Sequence, residues 1–376
     1  MKTFTYIKTS NMAIPEISEI DTINDMLKFN IQNVDVSVVN GLRRTILSNI
    51  ETLVFKGTND SMIIHKNTTK FNNEYMKHRL MNIPIFINDK TLFDSVVNTY
   101  IVELNETNDT TTKKYITTEY FKVKNKNTGE YLPKNEVEKM FPRDPQTGDF
   151  ILLTILYPNY NKKNEPNETI HFESNVDRGT SSENSCWNVV HNVCYENYQD
   201  IDKISKELDS IPDENVQEKE DFKILDAQRI YIKNKFTMKL QSLGIFSNQE
   251  LIKEACEFIM YKLNKINEYI GGNSKILQKG DVLFNETNGT LSQDELDKIK
   301  ETYCNLYIDD GFIVFELKDD DYTIGKLVEK YFDIYYSNKL QYIGFKKNHP
   351  TRKEAYIYLK YKNEINTEIV HEDLRT

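Results

Sequence analysis

An α+β fold is predicted for this chain of 376 residues, and three observations predict it. Segments with the two-residue period of strands stand beside segments with the three-to-four-residue period of helices. A unit of strand, short loop and helix occurs at 25–50 and again at 311–336. Between these ends lies a long block of Thr- and Asn-rich turns with an isolated apolar strand. Two related end units would each bury the apolar face of a helix against the other.

The first elements follow in order. Residues 1–24 read as a polar extension with one proline. LKFNIQNVDV alternates Leu27, Phe29 and Ile31, the pattern of a half-buried strand. In VDVSVVNGLRRTILSNI, Val38, Leu42, Ile46 and Ile50 share one helical face. Ser37, with Asp35 nearby, is the expected N-cap, because its hydroxyl can accept from a first-turn amide. Arg43 and Arg44 sit beside the stripe, about 100° apart around the axis. A solvated pair and a docking face both fit them, since the planar fork of arginine donors suits interfaces. The apolar ETLVF follows, and SMIIHKNTTKF can form a strand. NNEYMKHRLMNIPIFI reads as a helix stopped by Pro84, since the residue before a proline disfavours helical backbone.

Residues 89–221 change character, with polar turns, a strand FILLTILY at 150–157 and an acidic stretch, ELDSIPDENVQEKED, that reads as loop. KFTMKLQSLG then alternates Phe236, Met238 and Leu240. NQELIKEACEFIMYKLNKINEYI is a long amphipathic helix that buries Leu251, Ala255, Ile259, Leu263 and Ile266 and ends at Gly271-Gly272. Residues 273–308 read as a mixed connection with a short helix at SQDELDKIKETY. GFIVFEL is a strand, and KDDD places negative charge where a helix N-terminus favours it. YTIGKLVEKYFDIYY aligns Ile324, Leu327, Val328, Tyr331, Phe332 and Tyr335 on one face. LQYIGFKKNHP and EAYIYLKY finish as two strands around a proline turn, and Ile365, Ile369 and Leu374 mark a short terminal helix.

Composition narrows the function. Hydrophobic residues make up 39%, with 23 Tyr and 19 Phe, which is a globular balance. The net charge is −10 and the pI about 5.3, and no dense Lys/Arg run appears. Phosphate neutralisation needs such a run, so nucleic-acid binding is not expected as the main role. No apolar stretch approaches the ~18 residues of a membrane span. The N-terminus lacks the continuous apolar core of a signal peptide, and the Asn-x-Thr triplets at Asn105 and Asn167 read as unmodified. Cys186, Cys194, Cys256 and Cys304 contain no C-x-x-C pair. CWNVVHNVC gathers Cys186, His191 and Cys194, which could supply three ligands, but reduced thiols are the preferred reading and no cofactor is expected. His78 and Asp319–Asp321 invite a catalytic role. A metal-dependent centre needs converging carboxylates, whereas these aspartates are explained by a helix N-terminus and His78 by a structural hydrogen bond. No phosphate-cradling Gly loop, G-x-S-x-G or H-E-x-x-H occurs.

NVDVSVVNGLRRTILSNIETLVF resembles the first conserved segment of the alpha-like subunits of cellular RNA polymerases. FNNEYMKHRLMNIPIFI is similar to the second, a helix with a His-Arg-Leu core ending in Ile-Pro. DRGTSSENSCWNVV resembles the family's insert-domain stretch, with Gly179, Glu183 and Trp187 in its Gly, Glu, Trp order. KFTMKLQSLGIFSNQELIKEACEFIMYKL looks like the strand and long helix that return to the dimerisation domain. FIVFELKDDDYTIGKLVEKYF and LQYIGFKKNHP resemble instead the small alpha-like subunit. Two sets of motifs on one chain resemble the fused arrangement of large cytoplasmic DNA viruses, whose AT-rich genomes suit this Asn-, Lys- and Ile-rich composition.

The resemblance implies two related alpha-like dimerisation modules, the first interrupted by a mainly β insert domain. The expected bounds are 1–24 for an extension, 25–88 plus 222–270 for the larger module, 89–221 for the insert, 271–308 for a linker and 309–376 for the small module. It implies a non-catalytic assembly platform for a DNA-directed RNA polymerase. Its partners would be the two largest subunits and small polymerase subunits, with no membrane and little direct nucleic-acid contact. The place would be a cytoplasmic viral factory and virion, or otherwise the nucleus. Val38, Leu42, Ile46, Leu251, Ala255, Ile259, Leu263, Ile324, Leu327, Val328 and Tyr331 would pair the modules. Arg43, Arg44, His78 and Arg79 would face a large subunit. The family's insert cysteine cluster for zinc or iron–sulfur has no counterpart in spacing here, so no metal is carried over. The competing readings are a stand-alone metal-dependent hydrolase using His78 or His191, and a generic dimerisation adaptor without a polymerase partner.

Overall fold

The computed structural model describes residues 14–158, 167–271, 277–278, 304–318 and 320–362. The chain divides into two compact units, one of Met1–Thr45, Val193–Lys239 and Ile252–Thr376, the other of Ile46–Asn192 and Leu240–Leu251. The first unit begins with an antiparallel hairpin of β1 (Glu16–Ile23) and β2 (Met26–Gln32). Asn24 and Asp25, at φ 50° and 63°, form the left-handed pair that a two-residue hairpin connection demands. The expected polar extension is therefore corrected, because 16–23 is strand. Ile17, Ile20 and Ile23 are exposed and recur every third residue, and the pairing shifts register between Ser18 and Asp21, which hides the strand period. Helix α1 (Val36–Ser48) follows. Its start is held by Asp35, whose Oδ1 accepts the Ser37 N–H at 2.9 Å, while the Ser37 hydroxyl is buried without a partner. Asp35 thus replaces the expected Ser37 cap. Leu42, Ile46 and Ile50 of the expected stripe are buried, whereas Val38 is half-buried and its neighbour Val39 is buried in its stead.

The second unit is built on strands. β3 (Glu51–Val54), β4 (Met62–Asn67), α2 (Asn73–Met81), α3 (Phe93–Thr99), β5 (Tyr100–Thr107), β6 (Lys114–Thr117), β7 (Lys122–Asn125), α4 (Lys134–Met140), β8 (Leu152–Leu156), β9 (Thr169–Asn175) and β10 (Asp177–Thr180) succeed one another. The main sheet has the order β4-β9-β5-β7, and β3–β10 and β6–β8 form separate pairs. One face of the main sheet buries Val102, Leu104, Ile170 and Phe172. Phe121 packs edge-on against Phe141 at 5.1 Å and Phe172 at 6.2 Å. Gly179 on β10 lies under the Trp187 ring: a Cβ there would sit 2.6 Å from Trp187 Cε3 and 2.9 Å from Val54 Cγ2. Glu183 accepts a hydrogen bond from the Thr180 hydroxyl at 3.3 Å.

The chain returns to the first unit through β11 (Val190–Gln199) and, after two helices, β12 (Tyr231–Ser242), which complete a sheet of order β1-β2-β12-β11. The two helices are α5 (Ile201–Asp209) and α6 (Val216–Ile224), and they correct the expected acidic loop. Asp200 caps α5 by accepting the Lys203 N–H at 3.1 Å, and the charges at Lys203 and Glu207 pair one turn apart at 3.9 Å. Neither helix has a buried residue, although Ile201, Ile204 and Leu208 share one face of α5. α7 (Asn248–Gly271) buries Leu251, Ala255, Ile259 and Ile266, with Leu263 half-buried.

The C-terminal part of this unit holds β13 (Leu277–Gln278), β14 (Cys304–Asp309), β15 (Phe312–Leu317), α8 (Tyr322–Tyr336), β16 (Leu340–Lys346) and β17 (Ala355–Tyr361) in a sheet of order β13-β14-β15-β17-β16. β14 corrects the expected mixed connection over 304–308; its hairpin to β15 turns on Asp310 and Gly311, at φ 47° and 75°. The expected helices at 292–303 and 363–376, and Asp319, lie outside the described residues. β15 and β16 each pair antiparallel with β17, so they run parallel, linked by α8. Gly325 lets α8 approach this sheet: a Cβ there would lie 2.0 Å from Phe345 Cε2.

Gly179→Ala should overpack the space between Trp187 and Val54 and lower unfolding stability by about 1–3 kcal/mol. Denaturant unfolding followed by the fluorescence of Trp187, the one tryptophan in the chain, measures it.

Candidate pairing interface

Three helices of the first unit meet at Gly41 of α1. A Cβ built there would lie 3.8 Å from Thr323 Cγ2 and 3.9 Å from Leu327 Cδ1 on α8, and 4.0 Å from Ile259 Cδ1 on α7. These are ordinary contact distances, so α1 lies within side-chain reach of both neighbours at this point. Ala255, Ile259 and Ile324 are buried, while Leu327, Val328 and Tyr331 are half-buried. Within this unit, residues of the last strand–helix block therefore touch the first helix.

Arg44 turns the contact into a polar lock. Its Nε donates to Thr323 Oγ1 at 2.9 Å, and its Nη2 donates to Asp321 Oδ2. Asp321 is also the N-cap of α8, because its Oδ1 accepts the Thr323 N–H at 2.8 Å. One carboxylate thus satisfies an orphan amide of α8 and pairs with a cation from α1. Burial alone would raise the Asp321 carboxyl; the Thr323 amide and hydroxyl, with the Arg44 charge, outweigh it and hold the group below its ordinary value.

Asp320, one residue earlier, behaves oppositely. Burial pushes its carboxyl up to about 6, although Lys262 on α7, the Asp321 N–H and Lys347 draw it back. Its Oδ1 accepts the Asp321 N–H at 3.0 Å, and Lys347 Nζ donates to its carbonyl at 3.5 Å. The junction therefore gathers Arg44, Lys262 and Lys347 around two adjacent aspartates whose carboxyls are shifted in opposite directions.

The expectation that Arg44 faces outward needs correction. Arg44 is engaged inside the chain, and Arg43 folds back so that its Nε and Nη2 donate to Asn40 Oδ1 at 3.1 and 3.0 Å. In the second unit, Arg79 donates to the carbonyls of Leu153 and Leu152, at 2.5 and 2.8 Å, and so ties α2 to β8. His78 is exposed, and its carbonyl accepts from Asn82 Nδ2 at 2.6 Å. The sequence pattern missed Gly41, Thr323, Asp320, Lys262 and Lys347. The Asp-rich approach to α8 marked the aspartates as helix charge, and only the fold shows which cations answer them. Among the described residues, Cys186, His191 and Cys194 do not make a metal-holding group, and no helix is long and apolar enough to cross a membrane.

Residues 28–263 match the family described as RNA polymerase Rpb3/Rpb11 dimerisation domain. No curated protein matches the chain.

Because the Asp320 carboxyl stands at about 6 when folded and 3.8 ordinarily, the folded state holds a proton that the unfolded state releases between those values. The stability this group contributes is complete below pH 3.8 and is lost as pH rises through 6. Asp320→Asn removes the slope. Thermal unfolding from pH 4 to 7 should show the variant gaining on the native protein as pH rises, by up to about 3 kcal/mol at neutrality.

Proposed function

The chain belongs to the RNA polymerase Rpb3/Rpb11 dimerisation-domain family, a family of non-catalytic assembly subunits, and from that premise we propose that one polypeptide here supplies both members of the pair. Residues 25–88 and 222–270 act as the larger alpha-like half, with 89–221 as its insert, and 309–376 act as the smaller half. The single observation that carries this reading is the reach of Arg44 from α1 to the cap of α8, beside the approach of Gly41 to Thr323 and Leu327. A second support is that the family match ends at 263, while 304–361 forms its own strand–helix–strand block.

The joined pair seats the two largest subunits of a DNA-directed RNA polymerase, which perform the chemistry, and small polymerase subunits attach to the same platform. His78 and Arg43 are assigned to that docking surface. Arg44 and Arg79 serve inside the chain, where their donors are engaged. Direct nucleic-acid contact is minor, in keeping with the net charge of −10. The resemblance of two sets of motifs on one chain to the fused arrangement of large cytoplasmic DNA viruses supports a site of action in the viral factory and virion, with the nucleus as the alternative for a cellular chain.

Affinity capture of the full chain from its source at high salt should retain the two largest polymerase subunits in equal amounts. The eluate should also contain promoter-independent RNA synthesis activity. Metal-dependent hydrolysis by the chain alone would instead favour a stand-alone enzyme. A homodimer free of polymerase subunits would favour a generic adaptor.

A further inference from the structure

The outer face of the main sheet of the second unit carries a cluster that module pairing does not use. On β9, His171 and Glu173 are two residues apart and share a face, since strand side chains alternate. The other face of that strand is core, with Ile170, Phe172 and Ser174 fully buried. On β5, Glu103 pairs directly with Glu173. On β4, the register to β9 shifts between Ile64 and Lys66, so His65 is the extra residue of a bulge beside His171. Three neighbouring strands thereby bring two imidazoles and two carboxylates together from positions as far apart as 65 and 173.

The distances are those of a ligand set. One ligand atom from each of His65, His171 and Glu173 lies within 4.8 Å of the others. His65 Nε2 is 3.6 Å from Glu173 Oε2, and His171 Nε2 is 3.6 Å from Glu103 Oε1. The two imidazole rings stand 4.5 Å apart. Tetrahedral zinc, with Zn–N bonds of about 2.0–2.1 Å, separates its ligands by about 3.3 Å. Small side-chain movements close the remaining gap, and His65, exposed on a bulge, is the group free to make them.

Two features are unfavourable as they stand and are relieved by a cation. His171 Nε2 is buried without a hydrogen-bond partner. Glu103 and Glu173 face each other across the strand pair, an arrangement that destabilises a sheet when both are charged. The lysines opposite these positions, Lys66 across from His171 and Lys122 across from Glu103, are exposed. Tyr131 Oη donates to Glu103 Oε2 at 2.5 Å, which orients that carboxylate as an outer partner orients a metal ligand.

We propose that His65, His171 and Glu173, completed by Glu103 or a water, form a zinc-binding site that clips β4, β9 and β5 together. Two imidazoles with carboxylate suit zinc better than magnesium or calcium, which prefer all-oxygen sets. Its role is structural, and no reaction is assigned to it.

The test uses the full chain, stripped with a chelator and titrated with Zn²⁺ alone against a colorimetric chelator. One Zn²⁺ per chain should bind, and Co²⁺ in its place should give the intense visible absorption of a tetrahedral site. The His65→Ala/His171→Ala double variant should lose binding and the cobalt spectrum. Glu103→Gln should weaken binding about 10–100-fold. His78→Ala, remote in sequence and exposed, should bind as the native chain does. Unfolding midpoints in the absence of zinc establish that each variant folds. Failure of the native chain to bind zinc, or equal binding by the folded double variant, overturns the proposal.

Discussion

The structure of the first unit depends on one arginine reaching from the first helix to the start of the last. Arg44 meets Asp321 and Thr323 where α8 exposes its unsatisfied amides, so a single carboxylate caps a helix and receives the charge of another element. The geometry requires α1 and α8 to come close, and they do so at Gly41, where a Cβ would be in ordinary contact with Thr323 and Leu327. Segments separated by more than 270 positions in sequence are in this way held in one compact unit.

The lock does not act by Coulomb energy alone. The Arg44 and Asp321 side chains are 35% and 41% exposed, and a pair so open to water contributes about 1 kcal/mol or less. The larger share comes from the apolar side chains beside it, with Ile259 and Ile324 buried. The polar junction specifies which surfaces meet, and the apolar contact supplies the stability. Asp320 works against both, since its charge is held in a buried position at neutral pH.

Much of this fold is legible in the sequence where one period dominates. The α7 stripe at Leu251, Ala255, Ile259 and Ile266 is buried as its spacing predicts, and Phe236, Met238 and Leu240 point inward from β12. Legibility ends where burial does not drive the element. β1 exposes its isoleucines and breaks register, and α5 and α6 bury nothing, so even the short stripe of Ile201, Ile204 and Leu208 on α5 marks no core. The direction of Arg44 was also hidden, because a helical wheel gives the angle of a side chain and not the partner that awaits it. The β9 and β4 histidines were invisible as a group for a related reason: more than a hundred residues separate His65 from His171, and only strand register joins them. The cysteines, near neighbours in sequence, drew attention to a set that the described residues do not bring together as a ligand group.

The central claim is that the C-terminal strand–helix block pairs with the first module by its own surface. Splitting the chain tests it most directly: residues 1–278 and 301–376 are expressed together as separate polypeptides, with an affinity tag on the first alone. The account predicts that the untagged piece is retained in equal amount and that Gly41→Trp, which fills the approach of α1 to α8, releases it. Recovery of the tagged piece alone, with both pieces folded, would contradict the account.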